Sequence, residues 1–212
     1  MRMNLTLVMT SGLWALAAVP AMAEDRLPTI PPTQYTAEQK QAAAEFEAER
    51  NVAVFGPFEP MMHSPQVMTL ARAMGDYLRY KSAIGNTLSE LAILMTAREW
   101  TQDYEWSVHY PIALKAGIRA DVADAIADGR RPAAMSADEQ IVYDYAAELL
   151  KQQHVSDATF ERAKSRFGTK GVVDLTGILV TTPLSRCSST LRSTRPRTTA
   201  ASCRSCLPRA RA

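Results

Sequence analysis

From Thr36 onward, apolar positions recur at helical spacing, interrupted by short polar breaks that carry glycine or proline. Thr36-Ala37-Glu38-Gln39 has the form of a capping box. The strong helix formers of QAAAEFEAER follow it, which predicts a helix ending before Asn51. Residues 55–65 (FGPFEPMMHSP) hold three prolines and a glycine, so neither a regular helix nor a central strand is expected there. Their Phe55, Phe58, Met61 and Met62 still call for packing against a core. Ser64 and Pro65 then suit the N-cap and first position of a helix whose apolar stripe is Val67, Leu70, Ala71, Met74 and Leu78. Residues 87–100 (TLSELAILMTAREW) form the most apolar helix of the chain. Residues 102–116 form another, closed by Gly117, with Pro111 inside it as a kink or a break.

Further helices are expected over 119–128, from the capping box Ser136-Ala137-Asp138-Glu139 to Leu150, from Ser156 to about Phe167, and from Thr169 to Val180. With seven or eight helices, short loops and no strand alternation, the class is an all-α helical bundle.

The two ends differ from this body. Arg2, the apolar run Leu5 to Val19 and the small-residue site Ala21-Met22-Ala23 have the order of a secretory signal peptide, cleaved before Glu24. A run of about 15 residues is short for a spanning helix, which needs roughly 20. The expectation is therefore an exported, periplasmic protein with no stable membrane insertion. Residues 24–50 make a lead-in and first helix, and residues 51–180 the main helical domain. Residues 181–212 contain seven arginines, six serines, six threonines and no acid, and their apolar pattern stops abruptly after Val180. They read as a disordered basic tail or as the product of a shifted reading frame. Restoring one base before the Val180-Thr181-Thr182-Pro183 codons permits Gly-Tyr-Tyr-Thr, which would continue an apolar helix.

Charge changes the picture once the tail is set apart. The whole chain carries +2, but residues 24–180 hold 16 Lys and Arg against 22 Asp and Glu. This mildly acidic body lacks the clustered basic face of a nucleic-acid binder. All three cysteines, Cys187, Cys203 and Cys206, lie in the tail. The three histidines, His63, His109 and His154, are dispersed without metal-ligand spacing, and no glycine-rich phosphate loop or dinucleotide fingerprint occurs. No metal and no cofactor is expected.

The candidate chemistry lies between Glu90 and His109. Glu105 and His109 are four residues apart, so they share one helix face. A carboxylate beside an imidazole fixes its tautomer and suits the pair to proton transfer near neutral pH. The same spacing is common on solvated faces. Glu90 also completes Thr87-Leu88-Ser89-Glu90, which has the form of another capping box.

The order ELAILMTAREW, a loop, then DYEWSVHYPIALKAGI resembles the carboxymuconolactone decarboxylase-like family, which includes the alkyl hydroperoxidase D proteins. The upstream segment FGPFEPMMHSPQVMTLARAMGDYLRY resembles one branch of it, and the likeness covers roughly residues 50–180. The resemblance implies a helical bundle of the alkyl hydroperoxidase D-like type and a homo-oligomer, trimeric or hexameric. It places His109 at the family's histidine and Glu90 at its upstream glutamate. The hydroperoxidase branch's Cys-x-x-Cys positions are here Gln102 and Glu105, so the thiolate and resolving thiol of a thiol peroxidase are missing. The decarboxylase branch, with a glutamate four before the histidine, is the better likeness. It implies acid–base chemistry, decarboxylation or isomerisation, on a small organic acid or lactone. His109 would deliver the proton, Glu105 would orient it, and Glu90 would be a second acid or base. A peroxidase-like activity and a non-catalytic helical oligomer are the alternatives. His63, Arg98, Gln102, Tyr104 and Trp106 are candidate pocket residues: His63 if its segment folds over the site, Arg98 as a fork for a substrate carboxylate, and the others as wall.

Overall fold

A computed structural model describes residues 26–192, with side chains described as far as Leu184. The leader expected over residues 1–23 and the tail beyond Arg192 lie outside the described residues. Among the described residues there is no strand, and no helix is long and apolar enough to cross a membrane. A 3-10 turn at Pro32–Gln34 precedes α1 (Ala37–Arg50), α2 (Phe58–Met61), α3 (Pro65–Tyr80), α4 (Asn86–Glu99), α5 (Asp103–Lys115), α6 (Ala120–Ala127), α7 (Ala137–Gln152) and α8 (Asp157–Arg192).

Local chemistry sets most of the boundaries. Thr36 and Ser136 each close a reciprocal capping box, with Gln39 and Glu139 respectively. Asn51 and Gln153 end α1 and α7 in the left-handed conformation, which the short side chain of asparagine tolerates at Asn51. Gly168, at φ 70° and ψ 173°, breaks α8 where the sequence predicts one helix to close and the next to begin. Pro111 neither splits nor ends α5. The proline-rich segment 55–65, expected to be irregular, contains the single turn α2.

Every residue from Leu88 to Ala97 is buried, which makes α4 the centre of the bundle. It packs on α5, α7, α8, α6 and α3. A helix apolar on all sides is stable only when surrounded in this way. A smaller cluster (Ala42, Phe46, Met61, Met62, Met68) joins α1, α2 and α3 and includes edge-to-face contacts among Phe46, Phe55 and Phe58.

Two expectations are corrected. Of the stripe expected on α3, Leu78 is buried, Ala71 packs against the smaller cluster and Met74 borders the cavity described below, but Val67 and Leu70 face outward and Met68 and Arg72 are buried instead. The last helix does not stop at Val180; α8 continues to Arg192. Composition alone misjudges this segment because it propagates from a helix already packed on α4 and α7, so no new nucleation is required. The hydroxyls of Thr181 and Thr182 bond back to the carbonyls of Gly177 (2.6 Å) and Ile178 (2.7 Å), and Leu184 lies against the cavity described below.

Candidate active site

The α4–α5 hairpin builds the site. Thr101, at φ 50°, turns the chain so that α5 returns beside α4 and His109 comes to Glu90, nineteen residues earlier. His109 Nδ1 lies 2.6 Å from Glu90 Oε2. The other oxygen, Oε1, accepts from Arg79 Nε (3.2 Å) and Nη2 (3.1 Å) at the end of α3. On the far side of the ring, His109 Nε2 is 3.5 Å from Glu105 Oε2. Glu90 is fully buried, and His109 and Glu105 are nearly so.

This arrangement changes the expected roles. Glu105 and His109 do share a face, but Glu90 is the carboxylate that engages Nδ1 and fixes the ring. Glu105 faces the opposite nitrogen at a longer distance. Glu90 caps nothing: α4 begins at Asn86, and the Glu90 side chain turns inward to Arg79 and His109.

A cavity of about 170 Å³ opens beside the pair. Arg50, Arg79, Tyr104, Glu105 and His109 supply its polar wall. Phe55, Phe58, Met61, Leu78 and Ile93 supply much of the apolar wall, and Thr181, Thr182 and Leu184 of α8 close one side. The segment 55–65 supplies Phe55, Pro57, Phe58 and Met61 to the cavity, but His63 does not line it. His63 is exposed, and its Nε2 bonds to the Pro28 carbonyl at 3.1 Å. Tyr104 does line the cavity. Burial, and the negative charge of Glu105 and Glu59, push its hydroxyl above the usual tyrosine range. Gly56 lies beside it at φ +56°, a conformation that favours glycine, and a Cβ there would press on the Tyr104 hydroxyl.

The remaining candidates sit elsewhere. Arg98 is two turns further along α4, with Nε bonded to the Ala127 carbonyl at 2.9 Å, and it faces a separate cavity with Arg130, Tyr143 and Lys151. Gln102 is buried at the start of α5, off the cavity wall. Trp106 is core, its ring 5.8 Å from that of Tyr110.

Two residues that sequence reasoning missed carry the cavity's positive charge. Arg79 is tied to Glu90. Arg50 bonds to Asp76 (2.6 Å) and stacks over Phe58, 4.8 Å from the ring centroid. The carboxylates that balance them, Asp76 and Glu90, stand behind the lining. Each arginine lies in the last turn of a helix, where a basic residue ordinarily reads as a complement to the helix dipole.

Two solved structures share this fold. One is the alkylhydroperoxidase AhpD core, an uncharacterized peroxidase-related protein from Ralstonia eutropha JMP134. It is 20% identical, with a TM-score of 0.65 over 84% of this chain and 95% of that one. The other is an uncharacterized peroxidase-related protein from Silicibacter sp. TM1040, 13% identical, with a TM-score of 0.64 over 85% of this chain and 96% of that one. No protein-family model and no curated protein matches the sequence.

Proposed function

We propose that this chain, which has the fold of the alkylhydroperoxidase AhpD core, is an acid–base enzyme that moves a proton on a small organic acid or lactone, in a decarboxylation or an isomerisation. The observation that carries the reading is the Glu90–His109–Glu105 arrangement at the wall of a partly apolar cavity. With the Nδ1 proton held by Glu90, the lone pair of a neutral imidazole resides on Nε2, beside Glu105. A proton can then pass between substrate, Nε2 and Glu105 without the ring turning.

In a decarboxylation the bond to the carboxylate breaks and its electron pair remains on the substrate as a carbanion or dienolate. His109 Nε2, having first taken up a proton from solvent, delivers that proton to quench it, and the ring returns to its neutral form. In an isomerisation the same atom removes a proton from one carbon and returns it to another. Arg50 and Arg79 offer guanidinium groups to a substrate carboxylate, and the apolar wall takes the hydrocarbon body.

The peroxidase description of the two structural neighbours favours a second reading. Thiol-linked peroxide reduction needs a nucleophilic thiolate at the site, and the corresponding positions here are Gln102 and Glu105. The test is exchange in D2O. The purified chain is incubated with a panel of unsaturated lactone acids and β-keto acids, and carbon-bound deuterium is followed by NMR. Incorporation is expected in the wild type and at the buffer rate in His109→Gln. No incorporation across the panel, together with dithiol-dependent peroxide consumption, would overturn the acid–base reading.

We also infer that the chain forms a homo-oligomer, trimeric or hexameric. Val67, Leu70 and Met74 on α3 and Val173 and Val180 on α8 are exposed large apolar residues, Leu70 and Val173 the most so at 64% and 65%. The spacing of Val67, Leu70 and Met74 puts these three on one face of α3, and an apolar face left exposed in this way favours association. Sedimentation velocity at micromolar concentration is expected to show the oligomer, and the Leu70→Glu/Val173→Glu variant a smaller species. A wild type that sediments only as monomer would refute the inference.

A further inference from the structure

We infer that Arg79 is a positioning residue for the proton-transfer pair: by binding one oxygen of Glu90 through two N–H groups, it sets the other oxygen to hold the His109 Nδ1 proton. This rests on the acid–base reading of His109, although the geometry behind it is independent of any substrate.

Glu90 has no contact with solvent and two oxygens to satisfy. A buried carboxylate is costly unless it is paired and bonded at both oxygens. Oε1 takes Nε and Nη2 of Arg79 at 3.2 and 3.1 Å, and Oε2 takes His109 Nδ1 at 2.6 Å. The two N–H groups converging on one oxygen leave Oε2 for the imidazole. A single point charge could neutralise Glu90 but would not fix its rotation in this way.

Arg79 is itself fixed in place. The α3–α4 junction is clamped by three side-chain bonds. Asn86 Nδ2 donates to the Arg79 carbonyl (3.2 Å), the Ser82 and Ser89 hydroxyls meet at 3.0 Å, and the single proton of Ser89 Oγ is shared between the Leu78 carbonyl (3.1 Å) and the Gly85 carbonyl of its own helix (2.9 Å). The guanidinium also stacks over Tyr80, 4.9 Å from the ring centroid. The end of α3 is therefore registered against the first turns of α4, and Arg79 arrives over Glu90 eleven residues later in the chain. Arg79 lines the cavity as well. A role in substrate binding and a role through Glu90 thus make different demands on the kinetics.

The test uses the full chain with 15N-labelled histidine, the His109 signals being assigned with His109→Gln. In the wild type a downfield, slowly exchanging proton correlated with His109 Nδ1 is expected, because that proton is bonded to Glu90. In Arg79→Met the signal is expected to broaden or vanish. On any substrate turned over in the exchange assay, kcat is expected to fall about 10- to 100-fold with KM little changed, the range for losing the partner that orients a metal-bound histidine. Arg79→Lys is expected to recover part of both. If Arg79→Met does not fold, Arg79→Lys carries the comparison: a point charge in place of the two-pronged guanidinium is expected to leave the Nδ1 signal weaker and broader than in the wild type. Retention of the unchanged wild-type Nδ1 signal in Arg79→Met, or in Arg79→Lys where the methionine variant does not fold, would overturn the inference. A rise in KM at constant kcat would do so too, since it makes Arg79 a substrate ligand. A wild type that turns over nothing leaves the NMR comparison to decide, so failure of the reaction and failure of the positioning role are distinguishable.

Discussion

Replacing Glu90 by alanine is expected to cost about 3–5 kcal/mol of folding stability, the range for removing one partner of a buried ion pair. The variant leaves the Arg79 guanidinium, whose side chain is 18% exposed, without its carboxylate. It also leaves His109 Nδ1, buried against α4, without an acceptor. Neighbouring Leu91 and Leu94 are fully buried, so the space left at the centre of α4 is enclosed by a packed core. Glu90→Gln keeps the volume and one acceptor oxygen. It is expected to cost less, about 1–3 kcal/mol, as for one unsatisfied buried group. Urea denaturation at neutral pH checks both. An alanine variant within about 1 kcal/mol of wild type would mean that the Arg79–Glu90–His109 chain is open to water, since exposed pairs contribute no more than that.

The helices were legible because their ends are local chemistry. Thr36 and Ser136 cap as their three-residue spacing to Gln39 and Glu139 demands, and Gly168 breaks α8 without reference to anything distant. The common face of Glu105 and His109 was legible for the same reason, since four residues on one helix need no tertiary information. Glu90 was harder. Its partners lie on α3 and α5, and helical periodicity says nothing about pairs across a turn. Only resemblance linked it to His109, and even then the orienting role went to Glu105. Arg79 gave no signal because a cation in a last helical turn has an ordinary electrostatic explanation. His63 and Arg98 show the converse: the residue type suits the chemistry, but packing directs each to a backbone carbonyl, of Pro28 and Ala127. The end of α8 was misjudged because sparse apolar residues were weighed without the packed helix that precedes them. Leu184 needs only one wall to lie against, and the cavity supplies it.

Asp174 is expected to make this fold acid-sensitive. Its buried carboxylate on α8 accepts the Ala83 amide (2.8 Å), the Lys170 ammonium (2.8 Å) and the Tyr77 hydroxyl (3.3 Å). It thereby ties α8 to the α3–α4 junction that places Arg79 over Glu90. Burial pushes its pKa up, but the Lys170 ammonium, the Ala83 amide and the Tyr77 hydroxyl together outweigh burial and hold it below the usual aspartate value. A carboxyl whose folded pKa lies below its unfolded one binds protons preferentially when unfolded. Its contribution is therefore complete above the unfolded value, about pH 4, and is lost as pH falls through the folded value. Asp174→Asn cannot titrate and gives up the ion pair with Lys170, so it is expected to be less stable than wild type by about 1–3 kcal/mol at neutral pH. That gap should narrow steadily below about pH 4. Other carboxylates held low by arginine, Asp121 and Asp138, add to acid unfolding in both proteins and cancel in the difference. Urea denaturation of the two proteins from pH 7 down to about pH 3 isolates the Asp174 contribution. A gap that stays constant across that range would mean that Asp174 titrates alike in the folded and unfolded chains, and that its bonds to Ala83 and Lys170 do not persist in solution.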